Sequence, residues 1–276
     1  HGADLQAVDE NEATVLHLGM PVYELGQYLL SKGADIHKLN KEGETAIFQV
    51  IAANYPERQV NAYLQVLLDK GLAINARNNY GETLLSKAVR HDKLQVMEYL
   101  LEHGADPTVA KEPNPEQAGF TLPMYIVNRA SSSTSEKIKL LSLLKAKGAN
   151  LNTLNTRGEN TLFLAVQSTE PSYELLNWLL SQGVSAQVLN QQEQSLLHLI
   201  IKNNLQLAGN KSAQQAIRQQ LVARLIQQGL ALNARDMNGR SALHYALDGQ
   251  QWDWIEPLLN AGINPNIQSN IEESAL

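Results

Sequence analysis

Histidines are the side chains of this 276-residue chain that most readily suggest metal or acid–base chemistry, and there are seven of them. His17, His198 and His244 each stand three residues after a Thr or Ser, at the start of a short apolar segment. His1 and His103 each stand directly before a glycine. Recurrence at a fixed position in similar segments is typical of a structural role. We therefore predict packing, and not metal binding or catalysis, for these histidines.

The remaining candidates for chemistry are equally weak. Carboxylate pairs such as Glu42 and Glu44 lie in segments predicted to be exposed turns, where no apolar wall would raise a pKa. The patterns G-x-G-x-x-G, G-x-x-x-x-G-K-S/T, H-E-x-x-H and G-x-S-x-G are all absent. The chain has no cysteine, which excludes disulfides, thiolate metal sites and cysteine nucleophiles. The sequence predicts no enzyme activity, no cofactor and no metal.

Charge and hydropathy exclude two further classes of partner. The formal net charge is -6 with an isoelectric point of about 5.7, and the acidic excess lies in residues 1–138. Such a chain has no general attraction for nucleic acid or anionic lipid. No run approaches the roughly 18 apolar residues that a spanning helix needs. We expect a soluble chain without membrane insertion. A cytoplasmic location is favoured over a periplasmic or secreted one. The absence of cysteine and the abundance of glutamine favour a bacterial source.

The elements that must position these side chains are repeated. Length alone suggests about two domains, but an apolar pair followed three residues later by glycine recurs along the whole chain. A glycine just past an apolar-periodic segment is typical of a helix that ends in the left-handed conformation. The glycines at this position are Gly2, Gly33, Gly71, Gly104, Gly148, Gly183, Gly229 and Gly262.

A second recurring segment alternates with the first and opens on a polar residue suited to cap a helix. Thr, Ser and Asn side chains accept hydrogen bonds from the free N–H groups of a helix start. The residues at this position are Thr14, Thr45, Thr83, Thr121, Asn160, Ser195, Ser241 and Ser274. Each unit therefore reads as a turn with Asn or Asp and Gly, a short helix, a loop, a second helix and a glycine stop.

Residues 78–110, NNYGETLLSKAVRHDKLQVMEYLLEHGADPTVA, resemble an ankyrin repeat nearly position for position, and residues 236–268 do so again. The resemblance covers the whole chain and implies an all-α ankyrin-repeat α-solenoid, built of helix-turn-helix units with short β-hairpin fingers. It implies one domain over 1–276 with about seven full repeats. These are 9–39, 40–77, 78–110, 111–154, 155–189, 190–235 and 236–268, with partial units at 1–8 and 269–276.

The copies depart from the family pattern in two ways. The proline that follows the helix cap in the family is replaced in every copy, as by Leu84 and Leu196. Several repeats are also long. Register places insertions between the two helices at 55–59, 131–135 and about 203–215, and in a finger at 112–118.

The resemblance implies a protein or peptide partner, bound without catalysis on a concave face lined by finger tips and first helices. We expect a monomer in isolation. Carried over position by position, the candidate partner-binding residues are Lys41, Glu42, Glu44, Arg77, Asn79, Tyr80, Glu82, Arg90, His91, Arg157, Arg235, Met237 and Arg240.

Two sets of residues distinguish particular fingers. Arg77, Tyr80, Arg90 and His91 are expected to converge on one finger and its helix, and Tyr with Arg is the composition of interface hot spots; solvent-exposed polar filler is the alternative. Leucine also recurs at finger bases, at Leu39, Leu154 and Leu189, with Phe120 nearby. An exposed apolar row would indicate an interaction surface, whereas partial burial between neighbouring fingers would not.

Three functions remain open from the sequence. The first is a non-enzymatic scaffold for protein–protein interaction. The second is the recognition part of a larger enzyme or secreted effector whose catalytic domain lies outside these residues. The third is an immunity or inhibitor protein that caps a cognate toxin or enzyme.

Overall fold

A computed structural model describes residues 4–108, 119–129, 133–203, 205, 207, 209–271 and 274. Short first helices alternate with second helices that are mostly longer. The first helices are α1 (Val15–Gly19), α3 (Ala46–Ala52), α5 (Leu84–Arg90), α7 (Leu122–Asn128), α9 (Thr161–Gln167), α11 (Leu196–Lys202) and α13 (Ala242–Asp248). The second helices are α2 (Tyr23–Ser31), α4 (Glu57–Asp69), α6 (Leu94–Glu102), α8 (Thr134–Ala146), α10 (Tyr173–Ser181), α12 (Lys211–Gln227) and α14 (Ile255–Asn260).

This alternation confirms the all-α helix-turn-helix repeat fold. A 3₁₀ turn, Trp252–Trp254, leads into α14. Extended pairing within the described part of the chain is limited to isolated bridges, such as that between Leu189 and Ser195. The described fingers are therefore tight turns of about five residues, and the segments on either side of each turn form almost no paired β-strand.

The predicted cap residues stand where helices begin, but they cap in different ways. Thr83 and Asn160 accept directly, Thr83 Oγ1 from the Ser86 N–H at 3.2 Å and Asn160 Oδ1 from the Leu162 N–H at 3.1 Å. At Thr14 the backbone N–H instead donates to Nδ1 of His17 at 3.2 Å. Ser195 and Ser241 repeat this arrangement with His198 and His244. The caps thus explain why Thr or Ser and His recur three residues apart.

The glycine stops are confirmed wherever the structure describes them. From Gly33 to Gly262 these residues have φ between 79° and 97°, which is the left-handed region where a Cβ is disfavoured. After α2, the Gly33 N–H donates to the Leu30 carbonyl and the Ala34 N–H to the Leu29 carbonyl, at 3.3 and 3.1 Å. This Schellman pair satisfies carbonyls that the helix end leaves free.

The inserted residues partly lengthen second helices. Helices α4 and α8 have 13 residues and α12 has 17, whereas α2, α6 and α10 have nine each. Helix α4 begins at Glu57, inside the insertion predicted at 55–59, and α12 begins at Lys211, inside 203–215. The insertion predicted at 112–118 lies outside the described residues.

The chain divides into two compact units. Unit 1 comprises residues 1–125 and 142–149, and unit 2 comprises 126–141 and 150–276, so that the division runs through α7 and α8. The prediction of one domain over 1–276 stays a prediction.

Each unit has its own apolar core, drawn from equivalent positions of its repeats. In unit 1, Ile47 and Leu85 of first helices and Leu67 and Leu100 of second helices are buried. In unit 2, the equivalent buried residues are Leu162, Leu197 and Leu243 with Leu179, Leu225 and Leu258. Each such side chain contributes about 1.5–3 kcal/mol when it is fully removed from water. Within each unit, burial between neighbouring repeats holds the finger turns in place.

Candidate protein-binding surface

The finger turns share one closing arrangement, which is clearest at residues 78–82. The Oδ1 atom of Asn78 accepts hydrogen bonds from the N–H groups of Tyr80 and Glu82, at 3.0 and 2.9 Å. The Asn78 N–H in turn donates to the Glu82 carbonyl at 2.9 Å. Asn40, Asn155, Asn190 and Asp236 close their turns in the same way. An Asx side chain can thus fix the turn without help from the residues at its tip.

Neighbouring turns are joined by backbone hydrogen bonds within each unit. In unit 1 the Lys41 N–H donates to the Asn11 carbonyl and the Asn79 N–H to the Glu42 carbonyl, both at 2.9 Å. In unit 2 the equivalent donors are the N–H groups of Gln191, Met237 and Asn270, whose bonds to the preceding turn measure 3.0, 3.1 and 2.8 Å. The tip side chains in each unit are therefore presented in register on a fixed backbone.

The structure separates the predicted binding residues into exposed and buried groups. The exposed ones are Lys41, Glu42, Arg77, Asn79, Tyr80, Arg90, Arg157, Arg235 and Met237. His91 and Arg240 are partly exposed. Glu44 and Glu82 are only 3% exposed each, so the expectation that Glu44 lies on an exposed turn is wrong. Glu159 and Gln194, which end their turns at the same position, are buried as well, whereas Arg240 at the end of the last finger stays partly exposed.

In unit 1 the two buried carboxylates form an ionic network. The Lys87 ammonium lies 3.0 Å from Oε1 of Glu44 and 3.8 Å from Oε2 of Glu82. The Asn78 amide donates to both carboxylates at 2.9 Å, and the Arg90 guanidinium forms an ion pair with Glu82. Charge is therefore compensated inside the network, which ties two fingers to α5.

His91 borders this network and is held neutral. Its pKa is lowered by partial burial and then by the positive charges of Lys87 and Arg90. Arg90 is bound to Glu82, and His91 is partly buried. Tyr80, by contrast, lies at the exposed tip of the turn, and the exposed Arg77 directly precedes the turn. The structure thus supports Arg77 and Tyr80 as accessible side chains, and the convergence of all four residues on a partner stays a prediction.

In unit 2 amides and a phenol replace most of these ions. Glu159 is 3% exposed and is bound by the Asn155 and Gln167 amides at 2.9 and 2.8 Å. Gln194 occupies the equivalent place on the next finger and donates to the Tyr245 hydroxyl at 2.6 Å. That hydroxyl donates onward to Oδ2 of Asp236 at 2.8 Å.

A cleft of about 320 Å³ lies within unit 2 beside these fingers. Arg157 and Lys202 supply its positive charges, and Gln167, Gln191 and Gln192 are among the amides that line it. Its wall consists mostly of side chains that donate and accept hydrogen bonds, which suits recognition of a polar peptide surface more than of a small apolar ligand.

The finger-base leucines are about half exposed. Leu39 in unit 1 is 52% exposed, and Leu154 and Leu189 in unit 2 are 50% and 46% exposed. Phe120, by contrast, is buried. Exposure at the same register position of several repeats supports an apolar contribution to binding within each unit.

The helix-start histidines His17, His198 and His244 have structural roles that their bonds define, whereas His1 lies outside the described residues. The Thr14 N–H can only donate, so Nδ1 of His17 accepts and Nε2–H donates to the Glu44 carbonyl at 3.0 Å. His198 links Ser195 to the Arg240 carbonyl in the same way, also at 3.0 Å. Burial lowers the pKa of His198 and keeps the ring neutral. Across the part of the chain that the structure describes, no group of three or more His, Asp or Glu could hold a metal ion.

Sequence reasoning missed several residues that build the surface. Asn40, Asn78, Asn155 and Asp236 each precede a turn glycine by three residues, and this spacing was the available signal; at Asn190 the third residue is Glu193, which adopts a positive φ of 58°. Asn75 bonds both the Gly104 carbonyl and the Asp106 N–H in the following repeat, at 3.2 and 2.8 Å. Tyr245 gave no comparable signal, because its partners Gln194 and Asp236 lie 51 and nine residues away.

Helices long and apolar enough to cross a membrane are not found among the described residues.

Comparison with known proteins yields relatives of one kind. Ankyrin repeat and SOCS box protein 6 of Homo sapiens and of Pongo abelii is 32% identical over 130 residues, covering 39% of this chain and 31% of the relative. The match thus spans about a third of the length of those relatives.

Solved structures agree in fold. The ankyrin repeat domain of Bcl-3, an IkappaB family member, superposes with a TM-score of 0.62 at 21% identity, covering 85% of this chain and 93% of that one. A chain from the solved complex of the Bd0816 predatory endopeptidase from Bdellovibrio bacteriovorus with immunity protein Bd3460 superposes with a TM-score of 0.57 at 22% identity. The match covers 72% of this chain and 94% of that one.

The family described as ankyrin repeats in three copies matches residues 15–111 and 169–269. These two segments contain finger turns and glycine stops of both units, such as the turn at 78–82 with Gly104 and the turn at 190–194 with Gly229. Together they make up more than half of the sequence. The chain therefore belongs to the ankyrin repeat family.

Proposed function

We propose that this protein is a non-enzymatic binding scaffold that recognises a protein or peptide partner through finger-tip side chains. The observation that carries the proposal is the division of labour within each finger turn. The Asx side chain and the backbone close the turn, so tip side chains such as those of Lys41, Glu42 and Tyr80 are not needed to hold it. The side chains of Asn79 and Arg235 do contribute, by donating to the Lys41 carbonyl at 2.9 Å and the Gly239 carbonyl at 3.0 Å. Side chains that the fold does not require are available for a partner.

In unit 1 the proposed contact is formed by Lys41, Glu42, Arg77, Asn79 and Tyr80. Tyr80 is 50% exposed, and Arg77 lies one residue before the Asn78 that closes the same turn. Tyrosine and arginine bury large areas with few rotatable bonds per contact and dominate measured hot spots. Glu44 and Glu82 support this surface from below and are left out of the contact.

In unit 2 the proposed contact uses the tips that carry Arg157, Arg235 and Met237 together with the cleft beside Gln191 and Gln192. Arg240 is paired with Asp248 and orders the last finger. Arg157 and Lys202 outnumber the one carboxylate at the cleft, that of Glu159, and this favours a partner segment that carries carboxylates.

The test is recovery of partners from native lysate on the wild-type chain and on an Arg77→Ala, Tyr80→Ala double variant. We expect loss of at least one partner by about tenfold or more, since two hot-spot truncations cost about 2–4 kcal/mol together. Arg58→Ala is the matched control, because Arg58 is exposed on the second helix α4 and lies in no finger turn. Unchanged heat-unfolding midpoints would show that both variants fold. Equal recovery of every partner on all three chains would contradict the surface assignment.

A second candidate is an inhibitory role, in which the fingers cap a toxin or enzyme. The observation in its favour is the similar chain found in a solved endopeptidase–immunity protein complex. Co-expression with a candidate toxin from the same source tests it, with rescue of growth expected from the wild type and not from the Arg77→Ala, Tyr80→Ala variant. Absence of rescue with every neighbouring toxin gene would argue against inhibition, and the scaffold role would stand.

A further inference from the structure

Polar side chains eight residues apart pair with one another in three of the repeats. The first residue of each pair ends a finger turn, and the second is the last residue of the first helix that follows. The pairs are Glu82 with Arg90 in unit 1, and Glu159 with Gln167 and Arg240 with Asp248 in unit 2. Each of these repeats thus provides a partner for the polar side chain at the end of its first helix.

Lys202 departs from this pattern. It ends α11 and stands eight residues after Gln194, which carries no charge. The Gln194 amide is already committed, because its oxygen accepts from the Asn190 amide at 3.0 Å and its nitrogen donates to the Tyr245 hydroxyl at 2.6 Å. Lys202 is exposed and forms no ion pair with any residue that the structure describes. The ammonium therefore lacks the acid that the equivalent Arg90 has.

Two clefts of unit 2 share Lys202 in their linings. The first is the cleft of about 320 Å³ beside the finger turns, and the second has a volume of about 460 Å³. Two acids line them, and each has a cation of its own. Nε of Arg157 lies 3.9 Å from Oε2 of Glu159, and Arg240 pairs with Asp248. Lys202 therefore adds an uncompensated positive charge at the side chain that the two clefts have in common.

The Gln192 side chain supplies a hydrogen-bonding group in the first cleft. It is exposed, and its amide makes no hydrogen bond to a residue in the described part of the chain. Its backbone is fixed, because the Gln192 N–H donates to Oδ1 of Asn190 at 3.0 Å and the Gln192 carbonyl accepts from the Met237 N–H at 3.1 Å. A carboxamide can donate to a carbonyl and accept from an N–H group. The cleft thus presents a cation and an available amide on a fixed backbone.

We propose that the two clefts bind a linear peptide segment of the partner through an Asp or Glu side chain that pairs with Lys202. This inference rests on the proposed function and specifies the partner of unit 2. The carboxylate takes the place that Glu82 has beside Arg90, and Gln192 bonds the peptide backbone next to it. A neutral or basic segment would leave the ammonium partly desolvated without an opposite charge, so an acidic segment is favoured over both.

Selection from a displayed library of short random peptides tests the proposal. The selection is run on the wild type, on Lys202→Gln and on the matched control Lys211→Gln, which changes an exposed lysine of α12 that lines neither cleft. We expect peptides enriched in Asp or Glu from the wild type and the control, and no acidic enrichment from Lys202→Gln. Equal acidic enrichment on all three chains would overturn the proposal and leave the scaffold function in place.

A double-mutant cycle then isolates the ion pair. An acidic peptide selected on the wild type and its analogue with the corresponding amide are titrated against the wild type and Lys202→Gln by fluorescence anisotropy. Lys202→Gln should weaken binding of the acidic peptide by about tenfold and of the amide analogue by less than about twofold. Lys202→Glu should bind an analogue that carries lysine more tightly than the acidic peptide. Equal weakening of the acidic and amide peptides would contradict the assignment to Lys202.

Two other results address different occupants. Release of the acidic peptide by an equal concentration of inorganic phosphate would assign Lys202 to a free anion and overturn the peptide occupant. Absence of any enriched peptide on all three chains would also overturn the proposal for the clefts. The comparison of wild type with Arg77→Ala, Tyr80→Ala would then decide the scaffold function independently, because those residues belong to unit 1.

Discussion

Units 1 and 2 build the same finger turn but end it with different chemistry. In unit 1 the last position of the turn is Glu44 or Glu82, whose buried carboxylates are neutralised by Lys87 and Arg90. In unit 2 the same position holds Glu159, which is bound by the Asn155 and Gln167 amides. It also holds Gln194, which bonds the Tyr245 hydroxyl, and Arg240, which pairs with Asp248.

The difference shows that the turn itself does not specify the residue at its end. The Asx side chain and the backbone close each turn, so the final side chain is required only to find a partner on the neighbouring helix. Lys87 of unit 1 corresponds in register to Leu199 of unit 2, and Arg90 corresponds to Lys202. Where Gln194 replaces the acid, Leu199 stands in place of Lys87, whereas Glu159 remains a buried carboxylate and is bound by the Asn155 and Gln167 amides. Each buried acid thus keeps polar partners, which avoids an uncompensated buried charge.

The largest expected effect comes from breaking that set in unit 1. Lys87→Met leaves the Glu44 and Glu82 carboxylates buried without their shared cation, and loss of one partner from a buried pair costs about 3–5 kcal/mol. We expect the free energy of unfolding to fall by about 3 kcal/mol, measured by urea denaturation at pH 7. Leu199→Met, the equivalent change in unit 2, should cost less than about 1.5 kcal/mol.

A compensated variant sharpens this prediction. Glu44→Gln, Glu82→Gln and Lys87→Leu together give unit 1 the amide and apolar side chains of unit 2, so most of the stability lost in Lys87→Met should return. A triple variant no more stable than Lys87→Met would show that the network contributes something other than charge compensation.

The second prediction concerns the capping pairs, Thr83 with Ser86 in unit 1 and Ser195 with His198 in unit 2. His198→Phe removes bonds to the Ser195 N–H and the Arg240 carbonyl, and we expect a loss of about 2 kcal/mol at pH 7.5. Phenylalanine is a suitable replacement because Phe48 and Phe163 occupy the same register position.

This pair also introduces a pH dependence. Burial lowers the pKa of the His198 ring in the folded chain. In the unfolded chain the same ring has a pKa of about 6.5, so below that pH the unfolded chain binds more protons than the folded chain. The contribution of His198 is complete above about pH 6.5 and is lost as the pH falls through the lowered folded value. Wild type should therefore lose more stability than His198→Phe when the pH falls from about 7 to 5. His37→Gln, at an exposed site, is the control. Parallel stability–pH profiles of wild type and His198→Phe would contradict the assignment.

The third effect is smaller and tests the phenol of unit 2. Tyr245→Phe removes the hydroxyl between Gln194 and Asp236, for which we expect a loss of about 1 kcal/mol by urea denaturation. Tyr80→Phe in unit 1 removes an exposed hydroxyl and should change stability by less than about 0.5 kcal/mol. Similar losses in both variants would show that the chain of hydrogen bonds is not what distinguishes unit 2.

The smallest effect is expected at an exposed ion pair. Nε of Arg157 lies 3.9 Å from Oε2 of Glu159, and the Arg157 side chain is 52% exposed. Surface pairs contribute about 0–1 kcal/mol, so Arg157→Ala should lower stability by about 0.5 kcal/mol or less. A loss above about 1.5 kcal/mol would show that unit 2 relies on this cation as unit 1 relies on Lys87.

Local features of the fold were predictable because they depend on residues close in sequence. The glycine stops need a left-handed residue directly after a helix, and the Thr and Ser caps act on N–H groups within three residues. The structural role of His17 and His198 followed from recurrence alone. Their bonds to Glu44 and Arg240 did not, because these carbonyls lie in the next repeat.

The burial of Glu44 and Glu82 was not predictable for the same reason. Glu44 and Lys87 are 43 residues apart, and nothing in either segment indicates that their side chains meet. An isolated Glu in a turn with Gly favours an exposed position, and only the stacking of two repeats overrides that preference. The candidate contact at Arg77 and Tyr80 was found from composition, whereas its separation from the buried carboxylates required the structure.

The sequence by itself determined the repeat, its helices, their caps and their stops, because each is a local preference of the backbone that a few neighbouring residues satisfy. The tertiary structure alone decided which polar side chains are available to a partner. It also decided that Arg90 and Arg240 are paired with an acid while Lys202, among the described residues, is not. Accessibility depends on the neighbouring repeat, which packs against one face of each helix pair and leaves the finger tips free.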